Sequence, residues 1–391
     1  MLRSILFLIT IAVSVSCKTD VFAEPLPGAF GTSQYLELLS NKRIAIVANQ
    51  TSVIRRASGK EYTHLVDSLM SLGVDIAKVF APEHGFRGQL DAGEKVEDQK
   101  DPKTGLPIIS LYGKNKKPSG EQLAGIDLVV FDIQDVGVRF YTYISTLHYI
   151  MEACAENDIP LIVLDRPNPN GHYVDGPVLD PDFKSFVGMH PVPVVYGMTI
   201  GEYARMINGE KWLKNGLQCA LTVIELNGYD HKTPYRLPIK PSPNLPNEKS
   251  INLYPSLCFF EGTTISCGRG TEQQFQIFGS PELPKAVFEY TFTPEPNFGS
   301  KYPKHQGKEC FGRNLQNTDR LSALNLEWLI EAYQNHKDKD SFFNDFFVKL
   351  AGTPALRENI ENGLSPDSIR DLWQKDLEGF MPVRKKYLLY D

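Results

Sequence analysis

Six short apolar runs, spaced along the first 224 residues, constrain the fold of this chain more than any other feature. They are Ile44-Ala-Ile-Val47, Ile76-Ala-Lys-Val-Phe80, Ile108-Ile-Ser-Leu111, Leu128-Val-Val-Phe131, Leu161-Ile-Val-Leu164 and Leu221-Thr-Val-Ile224. Runs of four or five apolar residues bounded by polar turns read as buried strands. Between them, Ile144, Leu147, Ile150, Met151 and Cys154 recur at helical spacing, and Thr199-Ile-Gly-Glu202 reads as a capping box opening another helix. Strands alternating with helices build βαβ units. The sequence therefore predicts an α/β fold, a Rossmann-like three-layer domain with a parallel sheet.

At about 150 residues per domain, 391 residues suggest two domains. Six prolines fall between Pro234 and Pro255, and such a stretch is expected to be neither helix nor central strand. It reads as an ordered crossing that runs along a cleft. On this reading a Rossmann-like domain over 35–233 carries the chemistry, and a smaller α+β domain over 234–391 completes the cleft. Leu326, Leu329, Ile330 and Tyr333 mark a helix in the second domain.

The N-terminus reads as an address. Arg3 precedes an apolar stretch from Ile5 to Val15 that is too short for a stable membrane span, and Val21-Phe-Ala23 suits signal peptidase, so 1–23 is a signal peptide. A competing ending, Ser14-Val-Ser-Cys17, resembles a lipoprotein box with Cys17 as the lipidated residue. Either way the mature chain is expected to be exported, to the periplasm or to a lipid anchor in the envelope, with no transmembrane segment. Of six cysteines, five remain after a cut at Ala23, an odd number without any CxxC pair. Buried free thiols are expected, with a Cys258–Cys267 bridge as the alternative. Lys and Arg number 41 against 47 Asp and Glu, a net charge of −6. That leaves no basic footprint for nucleic acid.

Polar loops rich in Gly and Pro follow the apolar runs, where open α/β sheets hold their ligand crevice. Asn49 stands in the loop after the first run. Glu83 and His84 share a Pro-Glu-His-Gly turn near apolar Phe80 and Phe86, a setting that suits proton donation; the alternative is a loop acid paired to Arg87. Asp132 and Asp135 follow Phe131 and could form the paired carboxylates of glycosidic cleavage. Loop capping by Asp132, an Asp135–Arg139 pair, or a Mg²⁺ site are the alternatives. Asp165, Asn168 and Asn170 punctuate Asp165-Arg-Pro-Asn-Pro-Asn-Gly171, either as hydrogen-bonding groups for a ligand or as turn formers. Arg269 lies in Glu261-Gly-Thr-Thr-Ile-Ser-Cys-Gly-Arg-Gly-Thr-Glu272, suited to an anionic or polyhydroxylated ligand. No GxGxxG follows the first run, and the chain has no phosphate loop, GxSxG elbow or HExxH. No cofactor is expected.

Ten segments, in order, carry a resemblance: Ile46-Val-Ala-Asn-Gln-Thr51; Ala81-Pro-Glu-His-Gly85 with Arg87-Gly88; Asp101-Pro-Lys-Thr-Gly-Leu-Pro107; Ser110-Leu-Tyr-Gly113; Phe131-Asp-Ile-Gln-Asp-Val-Gly-Val-Arg-Phe-Tyr-Thr-Tyr143; Asp165-Arg-Pro-Asn-Pro169; Pro241-Ser-Pro-Asn244; Glu261-Gly-Thr263; Gly268-Arg-Gly-Thr271; and Tyr387-Leu-Leu-Tyr390. Together they resemble the exo-β-N-acetylmuramidases of the NamZ type, glycoside hydrolase family 171. The resemblance implies an envelope enzyme that removes N-acetylmuramic acid from the non-reducing ends of peptidoglycan-derived glycans. It implies Glu83 as the catalytic acid. The second group stays open between Asp132, Asp135 and the substrate's own acetamide. His84, Arg87, Asn49, Arg139, Asp165, Asn168 and Arg269 are the candidate substrate-binding residues. Arg269 is the first candidate for the lactyl carboxylate, with pairing to Glu261 or Glu272 as its structural alternative. A non-catalytic envelope protein that binds glycan ends, and a metal-dependent esterase or deacetylase, are the competing readings.

Overall fold

The structure is a computed structural model that describes residues 24–55, 61–83, 85–88 and 99–391. The expected signal segment with Cys17, and His84, lie outside the described residues. In chain order the first strands are β1 (Ile44–Ala48), β2 (Val53–Arg55), β3 (Tyr62–His64), β4 (Ile76–Ala81), β5 (Gln99–Lys100), β6 (Pro107–Ser110), β7 (Leu128–Asp132), β8 (Leu161–Leu164) and β9 (Leu221–Ile224). Each of the six apolar runs contributes a strand to one seven-stranded sheet, ordered β5-β6-β4-β1-β7-β8-β9. All its pairs are parallel except the edge pair β5–β6. The hairpin β2–β3, which the sequence does not announce, stands apart.

The two faces of the sheet follow the period of two along each strand. Ala45, Val47, Val129, Phe131, Leu161 and Val163 join one core, with the helix Tyr143–Glu156 and most of the C-terminal part. Ile44, Ile46, Ala48, Leu128, Val130, Ile162 and Leu164 join a second core, under the helices Thr32–Leu39 and Leu65–Ser71. Both faces are covered, so the strands read as unbroken apolar runs. The chain moves outward from β1 through β4 to β6, then recrosses to β7 and continues to β9. The order thus reverses between β1 and β7. A crevice belongs there, beyond the strands' carboxyl ends.

The C-terminal part is α+β. Its strands β10 (Ile277–Ser280), β11 (Tyr290–Phe292) and β12 (Cys310–Asn314) form an antiparallel sheet ordered β10-β12-β11. The expected helix spans Glu327–Asn335 and buries Leu329, Ile330 and Tyr333. One expectation needs correction. The proline-rich segment is irregular only as far as Asn247, and Pro255 lies inside the helix Glu248–Leu257. Asn247 caps that helix by accepting from Ser250 N at 2.9 Å. Pro255 has no N–H to offer the Ile251 carbonyl one turn back. Asn170 Nδ2 donates to that carbonyl instead, at 3.1 Å.

The two parts share a core. Phe140, from the loop after β7, packs edge-on against Tyr254 and Phe259, with centroids 5.5 and 5.8 Å away. The long helix Pro366–Lys385 returns to the first part, where Trp373 Nε1 donates to Asp175 at 3.1 Å. The capping box at Thr199 and Glu202 opens the helix Ile200–Gly209 as the sequence predicts. The five described cysteines carry free, buried thiols. Among the described residues no helix is long and apolar enough to cross a membrane.

Candidate active site

Where the loops after β4, β6 and β7 meet the C-terminal part, they enclose a cavity of about 750 Å³. That is within the size range of small-molecule sites. Glu83 and Thr142 line it from the first part, and Glu261 and Arg269 from the second. Tyr112 and Tyr254 add aromatic wall.

Glu83 is placed by the turn that leaves β4, closed by Gly85 N donating to Pro82 O at 3.1 Å. Gly85 has φ of 76°, which a side chain rarely adopts. Thr142 Oγ1 donates to Glu83 Oε2 at 3.2 Å. Behind it, Asn49 Nδ2 donates to the Tyr143 hydroxyl at 2.9 Å, and that hydroxyl lies 3.5 Å from the Glu83 carbonyl. The Tyr112 hydroxyl also meets the Glu83 carboxylate. Burial, and then the Glu83 charge, push that phenol above its ordinary range.

Opposite, Glu261 Oε1 accepts from Arg269 Nε at 2.6 Å and from Cys267 Sγ at 2.9 Å. Burial pushes its carboxyl up, but Arg269 and Lys304 outweigh burial and hold it below the ordinary carboxylate range. Lys304 is fixed under the segment by bonds to the carbonyls of Phe260, Thr263 and Ile265. Arg269 also rests on the Phe275 ring, 5.3 Å from its centroid. Its side chain keeps 26% exposure at the cavity wall. Gly270 allows the close threading here: a Cβ there would lie 2.5 Å from Pro303.

Several expected site residues are elsewhere. Asp132 is the last residue of β7, and it shares the parity of Leu128 and Val130. That parity aims it at the face away from the C-terminal part. There it is fully buried and forked by Arg166, with Nε to Oδ1 at 2.6 Å and Nη2 to Oδ2 at 2.8 Å. Asp135 is enclosed too: its Oδ2 accepts from Gly137 N at 2.6 Å and from the Tyr196 hydroxyl. Burial pushes its carboxyl up to about 6. Neither lines the cavity. The expected carboxylate pair is therefore corrected: among the described residues, the acids lining the cavity are Glu83 and Glu261.

Arg139 is a correction of the same kind. It is fully buried, and its guanidinium donates to the carbonyls of Pro177, Val192, Leu350 and Ala351. It ties the helix Phe346–Ala351 to the first part and reaches neither Asp135 nor the cavity. Arg87 forks Asp101 at 2.8 and 2.7 Å and meets Asp67 at 3.0 Å, so it is not the partner of Glu83. Asp165 is sealed among Thr199, Gly201 and Tyr390, and burial together with the Glu202 charge pushes it up to about 7. Asn168 forms its turn, accepting from Asn170 N and donating to Met198 O, both at 2.8 Å. Asn49 acts one step behind the cavity, through Tyr143. No group of three or more metal-ligating side chains is arranged together among the described residues. Sequence reasoning missed Tyr112, Thr142, Tyr254 and the place of Glu261. All but Tyr254 stand inside the segments quoted above, and that was the available signal.

Two carboxylates that line one cavity, one from each part of the chain, define an α/β protein with a glycosidase-type site. The chain belongs to the exo-β-N-acetylmuramidase NamZ family. Residues 44–249 match that family's N-terminal part, and residues 252–390 its C-terminal part. It is 39% identical over 378 residues to the peptidoglycan beta-N-acetylmuramidase NamZ of Bacillus subtilis (strain 168), across 91% of this chain and 89% of that protein. Crystal structures of two DUF1343 family proteins from Bacteroides fragilis NCTC 9343 share the fold. They align with TM-scores of 0.86 at 46% identity and 0.80 at 30% identity, each over 94% of this chain and 99% of the other.

Proposed function

We propose that this protein is an exo-acting glycoside hydrolase that releases N-acetylmuramic acid from the non-reducing ends of peptidoglycan glycan fragments. The observation that carries the reading is the placement of Glu83 and Glu261 on the walls of one cavity, in a chain of this family. Glu83 gives its proton to the glycosidic oxygen as the bond to the anomeric carbon breaks, with Thr142 orienting the carboxyl. Glu261, kept anionic by Arg269 and Lys304, steadies the positive charge that builds on the sugar ring. Water supplies the new oxygen at the anomeric carbon and returns a proton to Glu83. Release of chromophore from a chromogenic N-acetylmuramide tests the reading, because a protein that only binds glycan ends releases none. Loss of activity to a chelator would favour a metal-dependent esterase or deacetylase instead. The Arg3 to Ala23 segment supports export to the periplasm, and Cys17 a lipid anchor as the alternative; cell fractionation separates them.

Arg269 is the group we assign to the lactyl carboxylate, which N-acetylmuramic acid carries and N-acetylglucosamine lacks. Its Nε is committed to Glu261, and a guanidinium offers four further N–H groups in a fork suited to carboxylates. Arg87 and Arg139, the other arginines among the candidate substrate-binding residues, are occupied away from the cavity. A charge-assisted contact is worth about 1.5–3 kcal/mol, roughly ten- to a hundredfold. Arg269→Gln is expected to lower kcat/KM for muramides by that factor relative to glucosaminides. An unchanged ratio moves the contact elsewhere.

A further inference from the structure

Among the described residues three aromatic side chains stand exposed: Phe298 at 57%, Phe346 at 38% and Tyr302 at 90%. They are not scattered. Tyr302 and Phe346 both line the cavity that holds Glu83, and their exposure places them where it opens to solvent. Phe298 adjoins Gly299, which lines the cavity three residues before Tyr302. Single exposed apolar residues need no explanation, but a cluster at a cavity mouth marks a binding surface.

The backbone under Tyr302 is fastened on both sides. Asn297 and Ser300 exchange N–H to carbonyl bonds at 2.9 and 3.1 Å, and Asn244 Nδ2 holds the Gly299 carbonyl at 2.6 Å. Asn297 Nδ2 donates to Thr271 O at 3.2 Å, which ties the turn to the segment that carries Arg269. Two residues beyond Tyr302, Lys304 is anchored to three carbonyls. A bare ring is thus displayed on a fixed support, and little ordering remains to be done on binding.

A pyranose presents hydroxyls at its rim and a patch of C–H groups on its face, and an aromatic face complements that patch. When an exo-enzyme holds the terminal sugar in its cavity, the rest of the chain has to leave through the mouth. We propose that Tyr302 and Phe346, with Phe298 beside them, form the subsite for the hexosamines on the leaving-group side of the cleaved bond. This inference rests on the glycosidase reading above. It adds what that reading leaves open: how the enzyme grips the chain beyond the sugar it removes.

The test compares substrates that differ only beyond the cleaved bond. These are a tetrasaccharide and a disaccharide ending in N-acetylmuramic acid, and a muramyl fluoride whose leaving group is too small to reach the rim. Tyr302→Ala is expected to lower the kcat/KM ratio of tetrasaccharide to fluoride by roughly 2- to 12-fold, the scale of one stacked ring contact. Phe346→Ala should act likewise. Tyr302→Phe, which keeps the ring, should preserve the ratio. Calorimetric titration with a β-1,4-linked N-acetylglucosamine tetramer needs no turnover, and should give weaker binding to Tyr302→Ala than to the wild type. Unchanged ratios with unchanged tetramer binding overturn the proposal, as does a loss seen only on glycans bearing stem peptides. A wild type that cleaves no muramide, yet binds the tetramer through Tyr302, sinks the hydrolase reading and keeps the subsite.

Discussion

Glu83→Gln should lower turnover of a natural muramic-acid-terminated disaccharide by about 10²- to 10⁴-fold, the usual contribution of general acid–base catalysis. The substitution keeps the shape of the side chain and an acceptor for Thr142 Oγ1, which sits 3.2 Å from the present carboxylate. It removes only the ability to give up a proton. The fold should be indifferent, because the turn that carries Glu83 is closed through backbone atoms, Gly85 N to Pro82 O. Leaving groups that need little protonation should show a smaller deficit. The contrast between an activated aryl muramide and the disaccharide is therefore the sharper measurement. Near-wild-type turnover of the disaccharide by a folded Glu83→Gln protein would remove Glu83 from the role of acid.

The strands were legible because the central ones, β1, β7 and β8, are buried along their whole length and so read as apolar runs. The carboxyl-end loops followed from them, and with the loops the turn that holds Glu83. Asp132 was misread by the same logic. A strand's end points to the right edge of the sheet, but the face a side chain takes depends on parity. Which face the second part covers is set by contacts such as Phe140 with Tyr254, more than a hundred residues apart. Arg139 shows a second limit. Its partners are main-chain carbonyls at 177, 192, 350 and 351, and a carbonyl has no sequence signature. Glu261 was visible only as a possible partner of Arg269. That pairing exists, but the seam between the two parts places both at the cavity. Pro255 fails in a similar way, since the amide that relieves its helix belongs to Asn170, 81 residues from the carbonyl it serves.

The buried fork between Asp132 and Arg166 carries the second large expectation, and it concerns stability. The two side chains are 0% and 2% exposed, and Arg166 Nη2 also reaches the Val53 carbonyl at 3.3 Å. Two ions buried together are tolerable because each neutralises and hydrogen-bonds the other. Removing one leaves a charge in the sheet's interior with neither water nor counter-ion. Asp132→Ala is therefore expected to lower unfolding stability by about 3–5 kcal/mol, measured as a shift of the denaturation midpoint in urea. Replacing both partners with apolar residues of similar volume, as in Asp132→Leu with Arg166→Met, should recover most of that loss, because no lone charge remains. Catalysis should respond in the opposite order to Glu83→Gln: whatever Asp132→Ala protein is folded should retain kcat within a small factor, since the pair does not line the cavity. An Asp132→Ala protein that unfolds at the wild-type midpoint but loses turnover as Glu83→Gln does would return Asp132 to the catalytic site, and the structural role assigned to the fork would fall.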